Sequence, residues 1–183
     1  MTPNQIILVD ENDQQIGTEE KLRAHQNALL HRAFSVFIYR KHEHQYEILL
    51  QQRNSNKYHS GGLWTNTCCS HPTPGETTIK AGERRLFEEM GIRTSLKEIG
   101  SFIYKASVGN NLIEHEYDHV LLGEYADEPP NIDASEISAY RWISISECED
   151  ELNQYPEKFT SWFKKAFSFV LEQMHTDHLV DAN

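Results

Sequence analysis

Ser70-His71-Pro72-Thr73-Pro74-Gly75-Glu76 leads into Thr77-Thr78-Ile79-Lys80-Ala81-Gly82-Glu83-Arg84-Arg85-Leu86-Phe87-Glu88-Glu89-Met90, and the run stops at Gly91-Ile92. Between Thr77 and Met90, the residues Ile79, Ala81, Leu86, Phe87 and Met90 recur at helical spacing, and Gly91 follows where a left-handed residue closes a helix. A helix over 77–90 is expected. On it Arg84 and Glu88, and Arg85 and Glu89, stand four apart, which on a solvated face makes ion pairs worth about a few tenths of a kcal/mol each.

Immediately upstream lies Trp64-Thr65-Asn66-Thr67-Cys68-Cys69-Ser70-His71-Pro72. If it is extended, Cys69 and His71 share a face. Both are good metal ligands, and a nearby cation would make the thiol more reactive. An isolated Cys-x-His is nevertheless more often a small buried hydrophobe followed by a turn.

Further out, strands and helices alternate. Gln5 to Val9 reads as a short strand, and Thr18-Glu19-Glu20-Lys21 as the start of a helical turn capped by Thr18. Ala33 to Tyr39 and Tyr46 to Gln52 form a hairpin around a polar tip, residues 41–45. Residues 54–63, with Gly61-Gly62, read as a loop. Phe102 to Ser107 and Glu114 to Tyr125 make a second hairpin around Gly109-Asn110-Asn111. Pro129-Pro130 interrupts the chain, Ser138 to Ile143 is a further strand, and Phe159 to Gln173 is a terminal amphipathic helix. This is an α/β (α+β) pattern, a mixed β-sheet flanked by helices, in one compact domain.

The 183 residues suit one domain, and 38% hydrophobic and 10% aromatic content excludes extensive disorder. Seventeen Lys and Arg against 28 Asp and Glu, a formal charge of -11, argue against nucleic-acid or anionic-membrane partners. Three Cys, at 68, 69 and 148, are too few and odd for a disulfide framework, whereas ten His open the way to metal chemistry. No stretch has the roughly 18 consecutive apolar residues of a membrane span. With neither a signal-peptide pattern at Ile6-Ile7-Leu8-Val9 nor a lipidation or retention signal at Leu179–Asn183, a cytoplasmic protein is expected.

Glu114-His115-Glu116 sets two carboxylates on one face of a strand. Either they face solvent or they share a cation or a proton. His25 and His31 flank the start of the first long strand. Together His25, His31, His71, Glu114 and Glu116 would suit Zn²⁺, Mn²⁺ or Mg²⁺, although no local spacing enforces the grouping.

Ser70 to Ile92 resembles the Nudix box, with Glu76, Arg84, Arg85, Leu86, Glu88, Glu89, Gly91 and Ile92 on the pattern. Ser70 stands where Gly is usual. Arg85 replaces the first Glu of the metal-binding set that the hydrolases carry, which disfavours hydrolysis and suits holding a diphosphate intact. Leu30-His31-Arg32-Ala33-Phe34-Ser35-Val36-Phe37, Trp64 to Pro72, Tyr104-Lys105-Ala106 and Glu114-His115-Glu116-Tyr117-Asp118 together are similar to type I isopentenyl-diphosphate isomerases. The likeness runs from about residue 4 to about residue 175, with the last residues a tail.

The resemblance implies a Nudix-like fold and a reaction that interconverts isopentenyl and dimethylallyl diphosphates. It implies Cys69 and Glu116 as a proton-transfer pair with Tyr104 beside them, and Trp162 as an aromatic wall for a developing carbocation, with Trp64 a possible second wall. It implies Mn²⁺ or Zn²⁺ on His25, His31, His71, Glu114 and Glu116. Mg²⁺ would join the substrate diphosphate to Glu89 and the Cys69 carbonyl, and Lys21, Arg53, Lys57 and Arg85 would meet the diphosphate. A monomer acting on a small molecule is expected. Two other readings compete: a Nudix-type pyrophosphohydrolase, and a metal-stabilised binding module without catalysis.

Overall fold

The computed structural model describes residues 4–177; the tail at Leu179–Asn183 lies outside the described residues. Nine strands form one mixed sheet. They are β1 (Gln5–Val9), β2 (Gln15–Glu20), β3 (His31–His42), β4 (Gln45–Arg53), β5 (Trp64–Thr65), β6 (Cys68–Ser70), β7 (Lys97–Ser107), β8 (Ile113–Glu124) and β9 (Ile137–Ser144). The helices are α1 (Lys21–Gln26), α2 (Thr78–Met90), α3 (Ile145–Gln154) and α4 (Phe163–Thr176). β3 lies parallel to β8 and antiparallel to β1, β4 and β6. β8 continues antiparallel into β7, and β9 borders β4.

The central strands are apolar on both faces because both faces are covered. Phe37, Ile48, Leu50, Val120 and Leu122 pack with α3 and α4, whereas Val36, Ile38, Leu49 and Leu121 pack with α2. Side chains alternate between the two cores with the strand period of two. α2 approaches so closely that a Cβ on Gly82 would stand 2.7 Å from Leu121 Cδ1.

The helix expected over 77–90 spans Thr78–Met90, with Thr77 capping Lys80 N and Gly91 left-handed at φ 70. Other boundaries differ. Thr18 is not a cap: it pairs with Ile7 in the β1–β2 hairpin, and the Glu20 carboxylate accepts from Leu22 N and Arg23 N instead. The terminal helix begins at Phe163, since Thr160 N donates to the Trp64 carbonyl and a 3-10 turn occupies Pro156–Lys158. α3 was not expected, although Ser144 and Glu147 form a capping box that announces it. Among the described residues no helix is long and apolar enough to cross a membrane.

Candidate functional site

One cavity opens above the ends of β3, β6, β7 and β8. It is lined by Lys21, Arg53, Lys57, Cys69, His71, Arg85, Glu89, Tyr104, Glu114, Glu116 and Trp162. His25 and His31 lie fully buried behind it. The residues singled out in the sequence thus converge, apart from Trp64, which lies under the Arg141 guanidinium at 4.3 Å rather than on the cavity wall.

Sheet register makes the convergence. His31 is the direct neighbour of Glu116 across β3–β8, Tyr104 opposes Glu116 across β7–β8, and Ser35 opposes Cys69 across β3–β6. With a period of two, Glu114 falls on the same face as Glu116, while His115 turns away to the Ala28 carbonyl at 2.9 Å. Tyr104 Oη lies 2.6 Å from Glu114 Oε2 and 2.8 Å from Glu116 Oε2, donating its one proton to one of them and accepting from the other when that carboxyl is protonated. The two carboxylates are therefore buried, not solvated.

The imidazoles are set for a cation. His25 Nδ1 donates to the Lys21 carbonyl at 2.7 Å and His31 Nδ1 to the Leu29 carbonyl at 2.8 Å. A carbonyl only accepts, so each neutral ring presents its Nε2 lone pair inward, and both Nε2 atoms are buried without a hydrogen-bond partner. His31 Nε2 faces Glu116 Oε1 at 3.4 Å, and His71 Nε2 lies 3.0 Å from the same oxygen. A lone pair opposite a carboxylate is favourable only when a proton or a metal ion lies between them. Burial opposes the proton: it lowers His25 and takes His71 down to about 3. The ligand atoms of His25, His31, His71 and Glu116 lie within 4.8 Å of one another, so this group fits a divalent metal ion.

Burial pushes Glu114 up to about 8, with the charge of Glu116 adding to the effect. Burial acts the same way on Glu116, yet His31 and His71 facing it hold it well below the usual carboxylate range. Burial also pushes the Cys69 thiol up to about 12 against the pull of Arg53, whose Nη1 is 4.0 Å from Sγ. Cys68 points the other way, into the core beneath α2.

On α2 the Arg85–Glu89 pair is not an ordinary solvated one. Arg85 joins Glu88 (2.7 Å) and the buried Glu89 (2.5 Å). Arg84 makes the expected pair with Glu88 at 3.3 Å on the exposed side and also grips Glu76 with two bonds, 2.8 and 2.9 Å, fastening the preceding loop to α2. Glu136 is a component that the sequence did not reveal: it bonds Lys57 at 2.6 Å and lies 3.9 Å from Arg85. Gln51, which donates to Glu89 at 3.2 Å, and the buried His59 were also missed, since each comes from a segment without diagnostic spacing. Trp162 presents its ring to the cavity while Nε1 donates to Asn66 Oδ1 at 3.0 Å.

The NUDIX domain family matches residues 29–163. An isopentenyl-diphosphate Delta-isomerase of Photobacterium profundum is 48% identical over 172 residues, covering 93% of this chain and 96% of that protein. The chain belongs to the isopentenyl-diphosphate Delta-isomerase family. A second isopentenyl-diphosphate Delta-isomerase, from Serratia proteamaculans, is 49% identical over 158 residues, covering 86% of each chain. Solved structures add the fold alone. A MutT protein of Methanosarcina mazei superposes with a TM-score of 0.62 at 20% identity, covering 79% of this chain and 95% of its own. A Deinococcus radiodurans protein gives 0.64 at 16%, covering 82% and 89%. Isomerase-family membership agrees with Arg85, which puts a cation where the related hydrolases carry a carboxylate.

Proposed function

We propose that this chain, as a single catalytic domain, isomerises isopentenyl diphosphate to dimethylallyl diphosphate. The observation that carries the reading is one cavity with a thiol and a carboxylate on its walls, an aromatic side chain, and four cationic side chains among its lining. Lys21, Arg53, Lys57 and Arg85 hold the diphosphate, and a Mg²⁺ ion accompanying it would be held by Glu89 and the Cys69 carbonyl. His25, His31, His71, Glu114 and Glu116 would hold Mn²⁺ or Zn²⁺, whose positive charge would keep Glu116 ionised and oriented.

Cys69, with its thiol kept protonated by burial, gives its proton to the terminal methylene carbon. The double-bond electrons form the new C–H bond and leave tertiary cation character at the third carbon. Glu116, the lower of the two carboxylates, takes a proton from the second carbon, and that C–H pair becomes the new double bond. In the reverse direction the roles exchange. Tyr104 bonds to both carboxylates and steadies the acceptor. Trp162 stands against the cation through its ring face, and the chemistry requires that water, which would quench the cation, be kept out. The enzyme acts as a cytoplasmic monomer.

Incubation with isopentenyl diphosphate, Mg²⁺ and Mn²⁺ in heavy water tests this, with dimethylallyl diphosphate and deuterium incorporation expected. Absence of both with metal-loaded protein would sink the reading, and phosphate release from a nucleoside diphosphate would favour a hydrolase.

A further inference from the structure

His59 has no part in the chemistry above, yet the loop at residues 54–63 is built to deliver it. Asn54 Nδ2 donates to the Ala134 carbonyl at 2.7 Å, Asn110 Nδ2 to the Tyr58 carbonyl at 2.9 Å, and Arg53 Nη2 to the His59 carbonyl at 3.3 Å. A Cβ on Gly61 would stand 2.7 Å from the Ser55 carbonyl oxygen, so the chain folds back there as only glycine allows. Ser60 accepts a left-handed φ of 53. The outcome is a buried imidazole whose Nε2 lies 3.2 Å from Glu114 Oε1 and whose ring stacks on His25, centroids 6.1 Å apart.

His25 joins two ligand groups. Its Nδ1 is committed to the Lys21 carbonyl, which leaves the unpartnered Nε2 as its one ligand atom. A ligand atom of His25 lies within 4.8 Å of those of His31, His71 and Glu116 in one group, and of those of His59 and Glu114 in the other. One lone pair serves one ion, so two ions would compete for His25, whereas a single ion bound to it is approached from both sides.

We propose that His59 is a further ligand of the ion bound by His25, His31 and His71, completing a shell of four imidazoles with Glu114 and Glu116. This rests on the reading of the cluster as a metal centre. Ser60 Oγ, 3.2 Å from His59 Nδ1, is placed to accept the one N–H of a ring bound through Nε2, the arrangement that orients metal-bound imidazoles generally. A shell filled by protein leaves no water on the ion, beside a cavity in which water would destroy the cationic intermediate.

The test is Mn²⁺ added to the metal-stripped full chain, with pulsed EPR counting coordinated imidazole nitrogens and equilibrium dialysis giving stoichiometry and affinity. Four nitrogens and one ion per chain are expected for the wild type. His59→Gln should show three, with affinity weaker by about 10- to 100-fold and an unchanged circular dichroism spectrum. Three nitrogens in the wild type, or an equal count in His59→Gln, would overturn the assignment of His59 while leaving the metal centre standing. Two ions per chain would overturn the shared ion, and no bound Mn²⁺ would overturn the metal centre itself. If His59→Gln fails to fold, the wild-type count alone decides.

Discussion

Arg85 reaches back across one turn of α2 to Glu89, Nη2 to Oε1 at 2.5 Å, and the carboxylate it holds is buried at the wall of the cavity. Burial pushes Glu89 up and the Arg85 charge opposes it. A guanidinium thus stands beside a buried carboxylate at the cavity wall on this face of α2.

Arg85→Ala leaves Glu89 buried with Gln51 as its remaining donor. A loss of about 1–3 kcal/mol is expected, below the full range for a buried pair because Arg85 keeps some solvent contact. KM for isopentenyl diphosphate should rise about tenfold or more, by loss of a charge-assisted contact. Urea unfolding and steady-state kinetics check both; an unchanged KM would remove Arg85 from the diphosphate site.

The two adjacent thiols separate cleanly by direction. Cys69 lines the cavity and Cys68 is packed beneath α2. Cys69→Ala should abolish turnover with the fold intact, while Cys68→Ala should retain much of the activity and lose about 1 kcal/mol of stability to the cavity it leaves. Equal inactivation by both, or full turnover in Cys69→Ala, would mean that the reacting thiol is misassigned.

Tyr104→Phe deletes the single hydroxyl that bonds both Glu114 and Glu116. With that donor gone the buried carboxylates repel each other directly, so kcat should fall about 10²-fold with KM for the diphosphate little changed. A rise in KM at constant kcat would place Tyr104 in binding instead of proton transfer.

His59 and His71 are each held at about 3 by burial, against about 6.5 for an unfolded imidazole. Their contribution to stability is present above about pH 6.5 and is lost as the pH falls toward 3, because the unfolded chain takes up protons first. Glu114, pushed up to about 8, acts in the opposite sense, so that in metal-free protein stability drains as the pH rises from about 4.5 to 8. His71→Gln should flatten the acid-side loss by on the order of 2 kcal/mol, read from urea midpoints. Mn²⁺ should stabilise increasingly toward pH 8, since it replaces the proton on Glu114; a metal effect independent of pH would contradict that linkage.

Local pattern reached a long way into this protein. The α2 stop at Gly91, the two hairpins and the shared face of Glu114 and Glu116 are set by neighbours along the chain, where spacing alone fixes direction. It failed where a tertiary contact competed: Thr18 satisfied its backbone in a strand pair rather than at a helix cap, and Phe159 to Trp162 were held by β5 instead of entering α4. α3 was missed although the Ser144-Glu147 capping box was there to be read.

From residue order came the candidate ligand types, the thiol and the cations that line the cavity, because the chemistry of each side chain travels with its name. Their assembly needed the sheet. His31 meets Glu116 through the parallel β3–β8 register, a pairing between segments distant in the chain that no spacing rule encodes. His59 enters from a loop whose course is set by bonds to Ala134, Asn110 and Arg53, so its approach to Glu114 exists only once those distant segments have packed.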